Sequence, residues 1–351
     1  MGFAKIGLFE KIQRVLNRLA KLVFHKRELD SWSIEYLRYA QEDSVRVEKE
    51  IYPEAKIQFS PPLGEISHYF MGRHIISLKN ALVDNLTGRI FIRDRFNSDR
   101  WRQIEEATEW PTESNFFPVS LPNIRFVDRL DKAKLGINGI GYYHLLTHAL
   151  PRVMHLRDIE VPELLWGKMG ETALKVRSFL EPSTNTVTTA RWVFVNELFL
   201  VTTGNDVGYL HPSDAKLIRQ FSKSNKSKSR SNLKVYVSRR KSRRSLHIEA
   251  VLEDILWKKG FEIVYAEELS LREQEDLFSR SNVVMGIHGA GLNNAIFGDS
   301  VHLIEIMPSS RLNRCYEWQS MVLKHRYSRV LVDKKSDQGE IINSILDLLN
   351  D

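Results

Sequence analysis

The second half of the chain, from Leu233 onward, alternates short apolar segments with amphipathic ones. Short apolar segments bounded by turn residues are typical of parallel strands buried on both faces, and the segments between them then form crossover helices. This alternation predicts a Rossmann-like domain. The predicted strands are Leu233–Ser238, Phe261–Tyr265, Val283–Ile287, His302–Met307 and Arg329–Val332; the predicted helices are Ile248–Lys259, Leu271–Ser279, Leu312–His325 and Glu340–Leu349, with a helical start at Leu292–Phe297.

The length of 351 residues predicts two domains, because a typical domain has about 100–200 residues. The Ser/Lys-rich segment Lys223–Asn232 has the composition of a flexible, solvated run and marks the expected boundary. We therefore expect a helical segment over residues 1–45, an α/β domain over residues 46–222 and the Rossmann-like domain over residues 223–351. Within the first domain we expect a hairpin at Ala81–Arg95, followed by a loop with short elements at Trp101–Pro122. We expect helices at Tyr142–His155, with a break or kink at Pro151, at Ala173–Leu180 and at Pro212–Phe221. We expect strands at Val161–Leu165 and Arg191–Thr203.

The single cysteine, Cys315, excludes an intrachain disulfide and a zinc site built on cysteines, and it fits a reducing compartment. No segment reaches the roughly 18 apolar residues that a membrane span needs. Charges at Lys5, Glu10 and Lys11 interrupt the apolar residues near the N-terminus, unlike the core of a signal peptide. These features predict a cytoplasmic protein.

The net charge of +7 is concentrated in two basic segments. Residues 1–27 carry +6 and residues 223–244 carry +10, which leaves the rest of the chain acidic at −9. Residues 5–27 also place apolar side chains at three- and four-residue steps, which predicts an amphipathic helix. Such a helix either lies on an anionic membrane surface or packs on the body of the protein with its basic face in solvent.

A glycine-containing turn follows the third predicted strand of the Rossmann-like domain and reads His288-Gly289-Ala290-Gly291-Leu292-Asn293. Ligands of doubly wound sheets bind at the carboxyl ends of the strands, where a helix N-terminus offers N–H groups and a positive dipole to an anion. The turn therefore predicts a phosphate site to which His288 adds a donor, unless the glycines only allow close packing. No Gly-Lys-Ser/Thr follows, and Asn294 stands where a dinucleotide fingerprint has its third small residue, so neither a P-loop nor a dinucleotide site is indicated.

A cluster of arginines follows the first predicted strand of the same domain, at positions 239, 240, 243 and 244. Parallel strands end at the same edge of a sheet, so this cluster should face the crevice that contains His288. Guanidinium groups bind phosphate with paired hydrogen bonds, and two phosphate-binding elements at one edge favour a diphosphate. The alternative for a basic run is a solvated or nucleic-acid-binding face, and for Lys223–Arg230 we favour a solvated one.

Two further side chains are candidates for a role in a site. Glu305 lies within an apolar strand, where a carboxylate needs a partner; it either accepts hydrogen bonds from ribose hydroxyls or pairs with a core arginine. His144 and His148 share one face of the predicted helix, but no His-Glu-x-x-His pattern accompanies them, and no Asp-x-Asp motif for a metal-bound diphosphate occurs. We therefore expect no metal site. A lone histidine on a helix is more often structural, but histidine has an ordinary pKa near 6.5 that suits a general base, and His144 is our candidate for that role.

Four segments, in this order and spacing, resemble glycosyltransferase family 61 over about residues 80–330. They are the Tyr-His…Leu-Pro-Arg segment at 143–152, the Ser-Arg…Ser-Arg-Arg segment at 238–244, the His-Gly-Ala-Gly-Leu-Asn segment at 288–293 and the Ile-Glu-Ile-Met-Pro segment at 304–308. The resemblance implies a GT-B-like architecture of two Rossmann-like domains facing a cleft. It also implies inverting, metal-independent transfer of a sugar from a nucleotide-sugar donor, without a cofactor. Carried over residue by residue, it assigns the donor ribose to Glu305 and the donor diphosphate to Arg239, Arg243, Arg244, His288, Gly289, Ala290, Gly291, Leu292 and Asn293.

Without cysteine pairs or a signal anchor, the chain departs from the eukaryotic members of this family. The departure favours a cytoplasmic enzyme that transfers sugar to a glycan or lipid-linked acceptor in the synthesis of a surface polysaccharide such as a capsule. In this hypothesis residues 5–27 make peripheral contact with the inner face of the membrane, and no nucleic acid is bound. The alternatives are a nucleic-acid-binding protein that uses residues 223–244, a dehydrogenase, and a non-catalytic relative that binds nucleotide sugars.

Overall fold

The computed structural model describes residues 45–61, 63–70, 72–84, 89–93, 101–106, 127–136, 142–161, 164–165, 192–202, 208–223, 232–242, 246–310, 312–333 and 337–349. The predicted amphipathic helix at residues 5–27 and the predicted helix at Ala173–Leu180 lie outside these ranges, as do residues 224–231 of the expected domain boundary. Arg243 and Arg244 also lie outside them, so their part in a site stays a prediction. No helix in the described ranges is both long and apolar enough to cross a membrane.

Strands dominate the first half of the described chain. They are β1 (Val45–Tyr52), β2 (Ala55–Phe59), β3 (Ile66–Phe70), β4 (Arg73–Asp84), β5 (Arg89–Arg93), β6 (Trp101–Glu106), β7 (Val127–Leu135), β8 (Leu164–Leu165) and β9 (Trp192–Val201). Seven of them form one sheet in the order β6-β5-β4-β9-β7-β8, with β1 also paired to β4. The remaining two, β2 and β3, form a separate antiparallel pair.

The large sheet is mixed, whereas a second Rossmann-like domain would have a parallel one. β7 runs parallel to β8 and β9, and the other described pairs are antiparallel. The antiparallel pairing of β4 with β5 has a local cause. Only residues 85–88 connect these two strands, and so short a connection joins antiparallel strands. This pairing, in which Leu82 faces Phe91, confirms the predicted hairpin, although β4 begins earlier than expected. The segment expected to be a loop from Trp101 opens with strand β6.

The predicted helix at Tyr142–His155 is confirmed, but without the predicted break. It consists of α1 (Tyr142–His144), a π-helical turn (Leu145–Ala149) and α2 (Leu150–His155), together called the 142–155 helix. The N–H of Leu150 donates to the carbonyl of Leu145, which is the π-helical pattern. Pro151 has no N–H, and its ring would clash with the carbonyl four residues earlier in a regular α-helix. The wider turn before it accommodates the ring.

The second half of the chain forms the predicted parallel sheet. Its strands are β10 (Leu233–Val237), β11 (Phe261–Val264), β12 (Ser281–Ile287), β13 (His302–Pro308) and β14 (Arg326–Val332), in the order β11-β10-β12-β13-β14. All four of its strand pairs are parallel. The helices are α3 (Pro212–Lys223), α4 (Glu249–Lys258), α5 (Leu271–Ser279), α6 (Cys315–Leu323) and α7 (Gln338–Asp347), with 3-10 helices at Ala266–Glu268 and Ala290–Phe297.

Both faces of the parallel sheet are covered, because alternate residues of each strand point to opposite sides. Tyr236 and Ile304 pack on one face with residues of α4 and α7. Val235 and Leu303 belong to a larger buried cluster on the other face. That cluster also includes Leu146 of the 142–155 helix and residues of the mixed sheet, so one core continues from the mixed sheet to the parallel sheet.

Candidate functional site

A cavity of about 390 Å³ lies at the carboxyl ends of β10, β11 and β12. The chain leaves β10 toward β11 on one side and returns to β12 on the other, so this is the point at which the strand order reverses. Open α/β sheets bind their ligands at such a switch point. We call this space the edge cavity; its lining comprises Val237, Ser238, Arg239 and Ser242 after β10, Ala266 and Glu267 after β11, Ile287, Gly289, Ala290, Gly291 and Leu292 around the end of β12, and Tyr142 and Gln274 from two helices.

Residues 288–291, which we call the glycine turn, pass very close to the end of β10. A Cβ atom on Gly289 would lie 1.7 Å from Nη1 of Arg239, and one on Gly291 would lie 2.7 Å from Cγ1 of Val237. The predicted tight turn is thus confirmed, and its two glycines allow close packing against Arg239 and Val237. They also let the backbone line the edge cavity, so the packing and ligand interpretations are compatible. The helix after the turn is a 3-10 helix that begins at Ala290.

The Arg239 side chain joins the end of β10 to the glycine turn. Nη1 donates to the carbonyl of His288 at 2.6 Å, and Nε donates to Oγ of Ser242 at 3.3 Å. The structure therefore brings Arg239 and His288 together at one edge, as the sequence predicts. The neighbouring Arg240 pairs with Glu253 of α4 at 3.1 Å and is not part of the cavity lining.

Glu305 is fully buried on β13, and among the described residues no arginine pairs with it. Oε1 accepts a hydrogen bond from Nδ1 of His288, and Oε2 accepts one from the hydroxyl of Tyr327 at 2.5 Å. Burial raises the pKa of Tyr327 above its ordinary range, as does the negative charge of Glu305, so the phenol stays protonated as a donor. Every described contact of Glu305 is thus made inside the protein, and ribose binding stays a prediction.

The two asparagines after the glycine turn hold the 142–155 helix. Asn293 is fully buried, and its Nδ2 donates to the carbonyl of Tyr143 at 3.0 Å. Oδ1 of Asn294 accepts the hydroxyl of Tyr142 at 2.6 Å, and its Nδ2 donates to Gln274 at 2.7 Å. Asn293 therefore faces the 142–155 helix, although the resemblance assigns it to the diphosphate. Leu292 does line the cavity, but as a buried apolar side chain.

His144 lies on the 142–155 helix, two residues after the cavity-lining Tyr142. Its Nδ1 approaches Nδ1 of His148 to 3.4 Å. Partial burial lowers the pKa of His144 below 6.5, which favours the neutral imidazole that a general base requires. The side chain does not line the edge cavity itself, so its role as base stays a prediction.

Several cavity residues were not predicted from the sequence. Ala266 and Glu267 follow β11, and the rule that places the ends of parallel strands at one edge could have identified them. Tyr142 and Gln274 approach from helices, and no sequence signal indicated them. In the described ranges, no group of three or more His, Cys, Asp or Glu side chains is arranged to hold a metal ion.

The family model described as Glycosyltransferase 61 matches residues 142–310. The matched range begins at the 142–155 helix, includes the glycine turn and ends just after β13, so it contains all four segments on which the resemblance rests. No curated protein matches the chain significantly.

Proposed function

We propose, on the premise that residues 142–310 belong to glycosyltransferase family 61, that this protein transfers a sugar from a nucleotide-sugar donor held in the edge cavity to a glycan or lipid-linked acceptor. The observation that carries the proposal is the position of this cavity at the strand-order reversal of the parallel sheet, where Arg239 and the glycine turn both line it.

The edge cavity has the size and chemistry that a nucleoside diphosphate needs. Ligand sites usually enclose about 300–1,000 Å³ and combine apolar walls with a few polar groups. Val237, Ile287 and Leu292 supply apolar walls here, Arg239 supplies a cation, and the glycine turn supplies backbone at the start of a helix. A cation and helical N–H groups at one place favour an anionic ligand such as a diphosphate.

In the proposed inverting reaction, an acceptor hydroxyl attacks the anomeric carbon while the bond from that carbon to the diphosphate oxygen breaks. His144 takes the hydroxyl proton, and the electron pair of the broken bond leaves with the diphosphate. Arg239 and the start of the 3-10 helix stabilise the charge that develops on the leaving group, together with Arg243 and Arg244. Stabilisation by preorganised donors is usually the largest catalytic effect, and no metal ion takes part in this scheme.

The proposal extends to a cytoplasmic enzyme of surface polysaccharide synthesis whose two halves face a cleft in a GT-B-like way, although the sheet of the first half is mixed. The parallel sheet of β10–β14 forms the donor side, and the first half, with its mixed sheet, forms the acceptor side. Residues 5–27 hold the enzyme at the inner membrane face, which their basic, amphipathic sequence supports. Flotation with vesicles that contain anionic lipid tests this part, since deletion of residues 1–27 should abolish co-flotation.

The enzymatic proposal is tested by incubating the protein with UDP-, GDP-, CDP- and dTDP-linked sugars and measuring release of the nucleoside diphosphate. We expect release from one nucleotide class, and we expect EDTA to leave the rate unchanged. Strongly salt-dependent binding of DNA without release of any nucleotide would favour the nucleic-acid-binding alternative instead. Binding of a nucleotide sugar without release in the presence of acceptors would indicate a non-catalytic relative.

A further inference from the structure

The carboxylate of Glu305 is buried and hydrogen-bonded to two neighbouring side chains. Its side chain is 0% exposed, and its two oxygens contact His288 and Tyr327. It does not line the edge cavity. Burial of a carboxylate is costly unless hydrogen bonds or charges compensate it. Because the carboxylate is fully covered, a ribose hydroxyl could reach Glu305 only if a neighbouring side chain moved.

His288 is held in one orientation by contacts from four directions. Its backbone N–H donates to Ile306 at 2.8 Å, and its carbonyl accepts Nη1 of Arg239 at 2.6 Å. The ring contacts Tyr316 edge-on at 5.6 Å between centroids, and Nδ1 contacts Glu305. When Glu305 is an ionised carboxylate, which only accepts hydrogen bonds, Nδ1 is the donor in this contact.

The other ring nitrogen of His288, Nε2, is the one that can meet a ligand. It makes no hydrogen bond to a described residue and is not among the buried polar atoms that lack a partner. The side chain is 17% exposed, and it belongs to the same turn as the cavity-lining Gly289. The imidazole therefore presents Nε2 to solvent beside the edge cavity while Nδ1 is anchored below.

We infer that Glu305 is a positioning residue, held by Tyr327, which anchors Nδ1 of His288 so that Nε2–H donates to the donor diphosphate. The inference rests on the proposed function, but it replaces direct ribose binding as the role of Glu305. A carboxylate below the ring also compensates the positive charge that the ring carries when both nitrogens are protonated. The arrangement follows the general logic in which a buried acid orients a histidine through Nδ1 and leaves Nε2 for chemistry.

Inorganic pyrophosphate separates the two roles, because it contains the diphosphate but no ribose. We expect pyrophosphate to bind the wild type, and we expect H288A and E305A each to weaken binding about tenfold. The double variant should bind no more weakly than H288A, because Glu305 acts only through His288; independent contacts would add instead. E305Q should weaken binding less than E305A, because an amide oxygen can still accept Nδ1–H.

Asp276→Asn is the matched control for lost negative charge, since Asp276 is an exposed partner of Arg280 on α5. We expect this variant to bind pyrophosphate like the wild type. If E305A does not fold, E305Q and Tyr327→Phe supply the comparison, and the latter should weaken binding about two- to threefold.

The failures of the two proposals are distinguishable. If the wild type binds none of UDP, GDP, CDP and dTDP, the proposed function fails. If it binds one of them but E305A binds pyrophosphate normally, or the wild type does not bind pyrophosphate, the positioning role is overturned. If E305A binds pyrophosphate normally but no longer distinguishes that nucleotide from its 2′-deoxy form, Glu305 binds the donor ribose directly.

Discussion

Arg239 and Arg240 are adjacent residues of the same type with different surroundings. The Arg239 guanidinium lies over Gly289 and lines the edge cavity, whereas the side chain of Arg240 is 55% exposed and pairs with Glu253. The sequence places both after the same strand, but it does not show which one turns toward the glycine turn. That choice depends on the absence of a Cβ atom at Gly289, which is a contact between residues fifty positions apart.

Arg239→Ala should lower the rate of sugar transfer about 10²–10³-fold, because it removes a preorganised donor for the leaving diphosphate. Arg240→Ala, the control, should transfer sugar at a rate close to that of the wild type. Transfer rates at saturating acceptor, together with nucleotide affinity by calorimetry, measure both effects. Equal losses in the two variants would show that only overall positive charge matters.

His144 gives the reaction its expected dependence on pH. Burial lowers the pKa of this imidazole below 6.5, so it stays neutral at neutral pH and becomes protonated only in more acid solution. We therefore expect kcat/KM to be constant near pH 7 and to fall on acidification, with a midpoint below pH 6.5. His144→Ala should lose about 10²–10⁴-fold in kcat, and exposed His247→Ala should not. Near-normal turnover of His144→Ala would exclude it as the base.

The elements of the parallel sheet were predictable from the sequence because local pattern and final environment agree there. The three central strands β10, β12 and β13 are short, mostly apolar and largely buried, so their composition already indicates burial on both faces. The mixed sheet was less predictable, because the pairing of β7 with β9 joins segments far apart in the chain. The π-helical turn has only Pro151 as a local signal, and a proline there is compatible with a break, a kink or a wider turn.

The contact between the glycine turn and the 142–155 helix was also invisible in the sequence. The sequence around Asn293 and Asn294 predicts the start of a helix near a phosphate. In the structure these side chains instead bond to Tyr143 and Tyr142. This contact links the element that carries His144 to the element that borders the edge cavity. Asn293 and Asn294 therefore hold the 142–155 helix beside the edge cavity. Their partners are far away in the chain, so only a structure can show them.

Asn293→Ala should lower the free energy of unfolding by about 1–3 kcal/mol, because it leaves a buried contact of the Tyr143 carbonyl unmade. It should also lower turnover more than nucleotide affinity, since the helix that carries His144 loses an anchor. Asn282→Ala is the control, because Asn282 is exposed and its described side-chain hydrogen bond is to exposed Asn232. Urea unfolding and nucleotide titration measure the two effects; an Asn293→Ala protein as stable as the control would contradict the proposed anchoring.

At the scale of the molecule, the sequence predicted the α/β class and the parallel sheet of the second half, but not how the first half folds. A strand followed by a helix occurs five times in the second half, and this repetition strongly predicts a parallel sheet. The first half has no such repetition, and the expectation of a second Rossmann-like domain there came from the family resemblance. The described sheet in that half is mixed, because hairpin connections dominate its local order.

Acidification should destabilise the whole fold through His325. This buried imidazole accepts the N–H of Val301 on Nδ1 and donates to the carbonyl of Ala295 from Nε2, so only the neutral ring fits. Burial lowers its pKa to about 4, against about 6.5 in the unfolded chain. Its stabilising contribution is therefore complete above pH 6.5 and is lost as the pH falls toward 4, by about 2 kcal/mol at pH 5.

Urea unfolding at pH 7.5 and pH 5 measures this loss. His325→Gln should be less stable than the wild type at pH 7.5, because it cannot reproduce both hydrogen bonds. Its stability should also change less with pH, since one titrating group is gone. An equal pH dependence in the two proteins would show that His325 does not titrate with folding.

The most direct test of the central claim is a thermal-shift series with UDP, GDP, CDP, CMP, NAD and a short DNA duplex, each with and without EDTA. A ligand that binds only the folded state raises the melting temperature with its concentration. We predict a rise with one nucleotide class that EDTA does not change, and a much smaller rise for Arg239→Ala. A rise with NAD or DNA alone would contradict the assignment of the edge cavity to a nucleotide-sugar donor.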